Sequence, residues 1–314
     1  MPSWQATVVR GLCRIAIKRQ LSNTSQTPEA SVPRIRRAFE LADPFNAAFT
    51  RGLRIAPVAV DDVRGEWVLP RQCREPYDRV LLYAHGGGYV ACSPLTYRRF
   101  TTALARHSGV PVFVVDYRRA PEHRFPAALD DVVAAYDALR RRIPAHGIAL
   151  AGDSAGGGLA LAAVLALQER GAREAPVAGV VAYSPWTDLL ATGASIVVNA
   201  RADDMLVGAN MTSTALNYVS AAQRRTPLAS PLYGELGAFP PTLLFASTTE
   251  VLRDDAVRFA DRARACGAPV ELVLEPSLPH VWPIFCDVMP EARRAVERTV
   301  AFLGQIFARV TTAA

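Results

Sequence analysis

Lysine is nearly absent from this chain. Lys18 is the only one, so almost all of the 35 basic residues are arginine. The arginines are scattered, whereas nucleic-acid modules gather their charge on one face. Against 29 acidic residues they leave a net charge of +6. That surplus reads as a bias of base composition, and nucleic acid is not expected as a partner. Cysteine is also sparse: Cys13, Cys73, Cys92, Cys266 and Cys286 are odd in number and contain no C-x-x-C pair. A disulfide scaffold, a paired-cysteine zinc site and a dithiol redox motif are thereby excluded. Long apolar runs are missing too. The longest, about residues 156–167, falls short of the roughly 20 residues that cross a bilayer. Arg10, Arg14 and Lys18 interrupt the apolar stretch that a signal peptide would need. The expectation is a soluble, cytoplasmic protein with free thiols.

What is present is apolar and periodic. Half of the 314 residues are hydrophobic and a fifth are charged, which excludes a disordered chain and allows a large core without staples. Residues 4–20 read as an amphipathic helix, with Arg10, Arg14 and Lys18 on one face and Val8, Leu12 and Ile15 on another. Residues 20–33, rich in Ser, Thr and Pro, read as a loop, followed by a short helix over 34–42. Strands are expected at 53–60 and 65–69. A regular alternation follows, with strands at 79–84, 110–116, 147–151, 177–184, 241–247 and 269–275. Helices are expected at 95–108, 126–142, 155–170, 209–222, 253–267 and 290–309. The run Arg140-Arg141-Arg142 falls at a helix C-terminus, where cations are favoured. Alternating strand and helix, with several strands wholly apolar, predicts an α/β fold around a mostly parallel, doubly wound sheet. Residues 1–45 and about 187–225 fall outside the alternation.

Between the strand ending at Ala151 and the helix opening at Ala155 lies Gly152-Asp153-Ser154-Ala155-Gly156. A bare G-x-S-x-G arises by chance in about one chain in twenty. The strand–turn–helix context makes it a candidate nucleophile elbow. Its glycines permit a tight turn, and the helix N-terminus beneath it favours a developing oxyanion. His85-Gly86-Gly87-Gly88 directly follows the strand 79–84. Its chance frequency is on the order of one in a thousand chains. Three consecutive glycines suit a turn that presents backbone N–H groups to a ligand, as in the oxyanion loops of acyl-transfer enzymes. Gly86, Gly87 and Ala155 are the expected donors.

A nucleophilic serine needs a base, and histidine suits neutral pH. His85 belongs to the glycine loop, His107 ends a helix, His123 sits in a proline-rich turn and His146 precedes a strand. Only His280 follows Ser154, which fits the order serine, acid, histidine. Glu250, just past the end of the strand 241–247, is the preferred acid. Asp254, at the start of the next helix, is the reserve, with an N-cap role as its simpler alternative.

Together these segments resemble the hormone-sensitive-lipase-like family of α/β-hydrolase carboxylesterases over about residues 79–285. The family's D-Y-R-L-A-P-E stretch is matched by residues 116–122, with Arg119 in place of Leu. Ser184-Pro185-Trp186-Thr187-Asp188-Leu189 also has the family's character. Glu250-Val251-Leu252-Arg253-Asp254 is similar to its acid segment, with Glu for Asp and Val for Pro. The resemblance implies an α/β-hydrolase core over 46–186 and 226–314, with a helical cap from 1–45 and 187–225. It implies hydrolysis of short- to medium-chain carboxylic esters through a Ser154-His280-Glu250 triad and an acyl-enzyme. No metal or cofactor is implied. The alternatives are an amidase or N-deacetylase with the same triad, and a non-catalytic hydrolase-fold binding protein, against which His280 argues. Further partner expectations are peripheral lipid contact through the N-terminal basic helix, and a homodimer through the strand at 269–275 or the last helix.

Overall fold

The computed structural model describes residues 2–22, 28–40, 53–60, 63–171 and 177–311. Eight strands form one sheet: β1 (Leu53–Val60), β2 (Val63–Pro70), β3 (Val80–Ala84), β4 (Val112–Val115), β5 (Ile148–Asp153), β6 (Gly179–Tyr183), β7 (Thr242–Ser247) and β8 (Val270–Glu275). Their spatial order is β1-β2-β4-β3-β5-β6-β7-β8. The β1–β2 and β2–β4 pairs are antiparallel, and every other pair is parallel. Strands β3 to β7 are buried at every residue. Since successive strand residues point to opposite faces, both faces of the sheet centre are covered. That is the physical reason these strands are unbroken apolar runs in the sequence. The chain order reverses between β3 and β5, and in such sheets the carboxyl ends beside a reversal form a crevice.

The helix after β5, Ser154–Glu169, is buried without a break from Ala155 to Leu167. A helix apolar all round belongs in a core rather than on a surface. The helix at Ala127–Arg140 packs on it, and the last helix, Pro290–Thr311, packs on Pro94–Ser108. Arg140, Arg141 and Arg142 are exposed at the helix end, as expected. Among the described residues no helix is long and apolar enough to cross a membrane.

Three expectations change. A helix spans Pro28–Glu40, so the proline and serine content of 20–33 hid its first turns. Pro28 opens the helix, where its missing N–H would have no partner, and Pro33 lies inside it. The expected helix end at 41–42 and the turn at 61–62 lie outside the described residues. The helix expected over 209–222 is only Met211–Tyr218, flanked by 3-10 turns at Gly208–Asn210 and Ala221–Gln223. The N-terminal helix, Trp4–Cys13, continues as a π-helical turn over Arg14–Lys18, and its faces are turned the other way round. Arg10 and Arg14 both pair with Asp204, whose side chain is fully buried. Lys18 Nζ donates to the carbonyls of Ala200 and Asp203. The cations therefore anchor the helix to the body, while Trp4, Val8, Leu12 and Ile15 face outward. A basic face free for anionic lipid is not what this helix offers. Ser3 caps the helix by accepting from Ala6 N–H, and its own N–H and hydroxyl donate to Glu291.

Asp204 thus carries two of the ties that hold the N-terminal helix. Asp204→Ala should lower the unfolding free energy by about 1–3 kcal/mol, the range for hydrogen bonds to charged groups. It should also speed tryptic cleavage between residues 10 and 19. Unchanged melting and unchanged cleavage would show that the two arginine pairs hold nothing.

Candidate active site

Strand β5 runs straight into its helix. Asp153 is the last strand residue and Ser154 the first helical one. With no spacer, the reversal is absorbed at Ser154 itself, which has φ 51°. A non-glycine residue in the left-handed region costs on the order of 1–3 kcal/mol and persists only where its surroundings enforce it. The enforcement is close packing. A Cβ on Gly156 would lie 2.1 Å from the Ala84 carbonyl oxygen and 2.4 Å from that of His85. A Cβ on Gly152 would lie 2.3 Å from the Gly156 carbonyl oxygen. Only glycine lets the helix start this near to β3. The second helical residue, Ala155, is fully buried.

At the end of β3, His85 is buried and stacked on Tyr117, with ring centroids 4.2 Å apart. Burial pushes its pKa down to about 3, so the ring stays neutral. The expectation that Gly86 is an oxyanion donor fails here. Its N–H donates to Asp153 Oδ1 at 2.9 Å, and one hydrogen cannot serve two acceptors well. Gly87 and Gly88 are the loop glycines that line the cavity beside Ser154. Their φ values of 108° and 63° turn the loop in a way open to glycine.

His280 and Glu250 meet. His280 Nδ1 lies 2.6 Å from Glu250 Oε2, with His280 3% exposed and Glu250 fully buried. The other carboxylate oxygen, Oε1, accepts from the Ser247 N–H at 2.6 Å and the Ser184 hydroxyl at 3.0 Å. Ser184 also accepts from the Val281 N–H at 3.1 Å, which ties the histidine loop to its acid. Burial pulls the His280 pKa down. The bond and charge of Glu250, with the charges of Asp203 and Asp153, outweigh burial and leave it above the ordinary 6.5. The reserve acid is placed elsewhere. Asp254 accepts from the Ser195 N–H at 2.8 Å and pairs with Arg253. It is not the N-cap of its helix either, a position held by Leu252.

Ser154 and His280 open into one cavity of about 880 Å³, near the upper end for small-ligand sites. His280 Nε2 is buried and has no hydrogen-bond partner among the described residues. The far wall carries Ile17 and Leu21 from the N-terminal segment, Ile35 and Phe39 from Pro28–Glu40, and Met205 and Met211 from beyond β6. Among the described residues no group of three His, Cys, Asp or Glu side chains could hold a metal ion. Sequence reasoning missed Ser184, Asp153, Tyr83 and Tyr97. The one available signal was Asp153 itself, an acid inside an otherwise apolar strand end.

The family model for the α/β-hydrolase fold matches residues 81–284. The chain belongs to the α/β-hydrolase family. It is 41% identical over 248 residues to an acetyl-hydrolase of Streptomyces hygroscopicus, covering 78% of this chain and 81% of that one. It is 36% identical to the carboxylesterase/phospholipase LipF of Mycobacterium tuberculosis over 72% of this chain and 61% of LipF. The crystal structure of an esterase from the bacterial hormone-sensitive lipase family superposes with a TM-score of 0.87 at 36% identity, covering 98% of this chain and 99% of that one. This α/β-hydrolase is of the hormone-sensitive-lipase-like kind.

Gly156→Ala places a methyl group against two carbonyl oxygens at the base of the turn. It should forfeit several kcal/mol and most of the soluble yield, since overpacking against backbone cannot relax by a rotamer change. A soluble Gly156→Ala protein that melts at the parental temperature would contradict the packing argument.

Proposed function

We propose that this protein is a serine carboxylesterase with Ser154 as nucleophile, His280 as base and Glu250 as the acid that orients it. The observation that carries the reading is the His280 ring: one nitrogen bound to a buried carboxylate, the other without a partner in the cavity that Ser154 lines. In the reaction, Ser154 Oγ attacks the ester carbonyl carbon while His280 Nε2 takes its proton. The carbonyl oxygen becomes an oxyanion, for which we assign the N–H groups of Gly87, Gly88 and Ala155 as donors. Each such donor contributes about 10²–10³ in rate. His280 then protonates the departing alcohol. In the second half, His280 deprotonates a water molecule that attacks the acyl-enzyme, then passes that proton to Ser154 Oγ as the carboxylic acid leaves. Glu250 stabilises the imidazolium without taking its proton. Similarity to an acetyl-hydrolase and to a carboxylesterase supports ester substrates.

The described parts of 1–45 and 187–225 act in this reading as a cap over a core of 46–186 and 226–314. The far wall of the cavity supports it. So does Asp203, whose Oδ2 accepts from the Val251 N–H beside Glu250 while its Oδ1 accepts from Met205 and Leu206. The apolar wall suits short- to medium-chain acyl groups.

Ser154→Ala should abolish hydrolysis of p-nitrophenyl butyrate and labelling by a fluorophosphonate, with melting unchanged. Retained turnover would sink the assignment of the nucleophile. The base must be unprotonated to act, so kcat/KM should rise with pH through an apparent pKa above 6.5. In Glu250→Gln the raising influence of the carboxylate is gone and burial remains. The limb should then move to lower pH, and kcat/KM at neutral pH should fall at least about 100-fold. A limb at the same pH in both proteins would remove Glu250 from the triad.

A further inference from the structure

We propose that Asp153 is a positioning residue for the oxyanion loop: by accepting the Gly86 N–H it fixes the loop's first peptide plane, after which Gly87 and Gly88 present their own N–H groups. The inference rests on the esterase reading above.

Asp153 stands at the N-cap position of its helix, where an aspartate ordinarily accepts from the N–H groups of the first turn. It makes no such bond. Its oxygens turn instead towards β3 and the glycine loop. Oδ1 accepts from the Gly86 N–H at 2.9 Å and from the Tyr83 hydroxyl at 2.8 Å, and Oδ2 accepts from the Tyr97 hydroxyl at 2.6 Å. The residue is wholly buried. Among the described residues no cation forms a salt bridge with it. A carboxylate in that setting is costly unless donors surround it, and three do. The fit is close: a Cβ on Gly86 would lie 2.2 Å from Asp153 Oδ2.

The peptide unit that joins His85 to Gly86 is held at both ends. Its N–H goes to Asp153, and its carbonyl oxygen accepts from the Tyr117 hydroxyl at 2.8 Å. A peptide is planar, so two such bonds on opposite edges fix its orientation. The next peptide, which carries the Gly87 N–H, continues from that plane and is held by its own carbonyl oxygen, which accepts from His85 Nδ1 at 2.8 Å. Asp153 is covalently joined to Ser154, so one residue registers the oxyanion donors against the nucleophile. Placement of that kind matters because donors stabilise the oxyanion only when aimed where it forms.

The test compares Asp153→Ala and Tyr117→Phe with the parent, using p-nitrophenyl butyrate and a trifluoromethyl ketone, which forms a tetrahedral oxyanion adduct on the serine. Asp153→Ala should lower kcat about 100-fold and weaken the ketone by a similar factor, while KM stays within about threefold. Tyr117→Phe keeps the ring on His85 and releases only the carbonyl end. It should show the same kcat-selective loss at about tenfold. A folded Asp153→Ala protein with kcat and ketone affinity within threefold of the parent would overturn the proposal. So would a loss confined to KM. Where Asp153→Ala does not fold, Tyr117→Phe decides, and parental kcat with parental ketone affinity rejects the clamp. A parent that fails to react with a fluorophosphonate would instead reject the esterase reading, so the two failures are distinct.

Discussion

The passage from Asp153 to Ser154 has no room for a spacer, and the rest of the site is arranged around that constraint. A strand that turns into a helix within one residue needs its helix almost in contact with the neighbouring strand. Gly152 and Gly156 provide the clearance. The same approach brings Asp153 against Gly86, because β3 and β5 are paired in parallel with Ala84 beside Gly152. Nucleophile and glycine loop therefore share one backbone scaffold. The strain at Ser154 is sustained by a helix buried along nearly its whole length, so a local cost is borne by the core.

A second theme is the burial of acids with their donors. Asp153, Glu250, Asp203 and Asp255 lie in the interior within reach of the site or the segment beneath it. Each is met by backbone N–H groups or hydroxyls rather than by lysine or arginine alone. Asp255, for example, accepts from the Thr187 and Asp188 N–H groups. Such a network uses neutral dipoles to fix geometry, and Glu250, Asp203 and Asp153 set carboxyl groups near His280. Their influence is why the imidazole stands above its ordinary pKa although it is buried.

The sheet was legible because burial on both faces writes itself as uninterrupted apolar runs, and each strand from β3 to β8 fell within a residue or two of its expected span. Ser154 was singled out by its G-x-S-x-G setting between strand and helix, and His280 by being the only histidine after it. Glu250 against Asp254 was a matter of which residue lies in the turn after the strand and which lies inside the helix. What could not be read was pairing at a distance. Gly86 has the right neighbours to be a donor, and only an acid 67 residues away shows that its hydrogen is already engaged. Periodicity gave the N-terminal helix a basic and an apolar face. Which face turns inward depended on Asp204, some 190 residues further on. The helix at Pro28–Glu40 was hidden because proline and serine also open helices.

The cavity is built from two kinds of chain. The groups that would break an ester bond all fall within residues 81–284, the span that matches the family. Ile17, Leu21, Ile35 and Phe39 come from before it, on helices held by polar ties and apolar packing rather than by the hydrogen bonds of the sheet. Part of the fit is consequently written outside the span that carries the reactive groups. Variation in the first forty codons can therefore reshape one side of the cavity without touching the residues that face it from the family span.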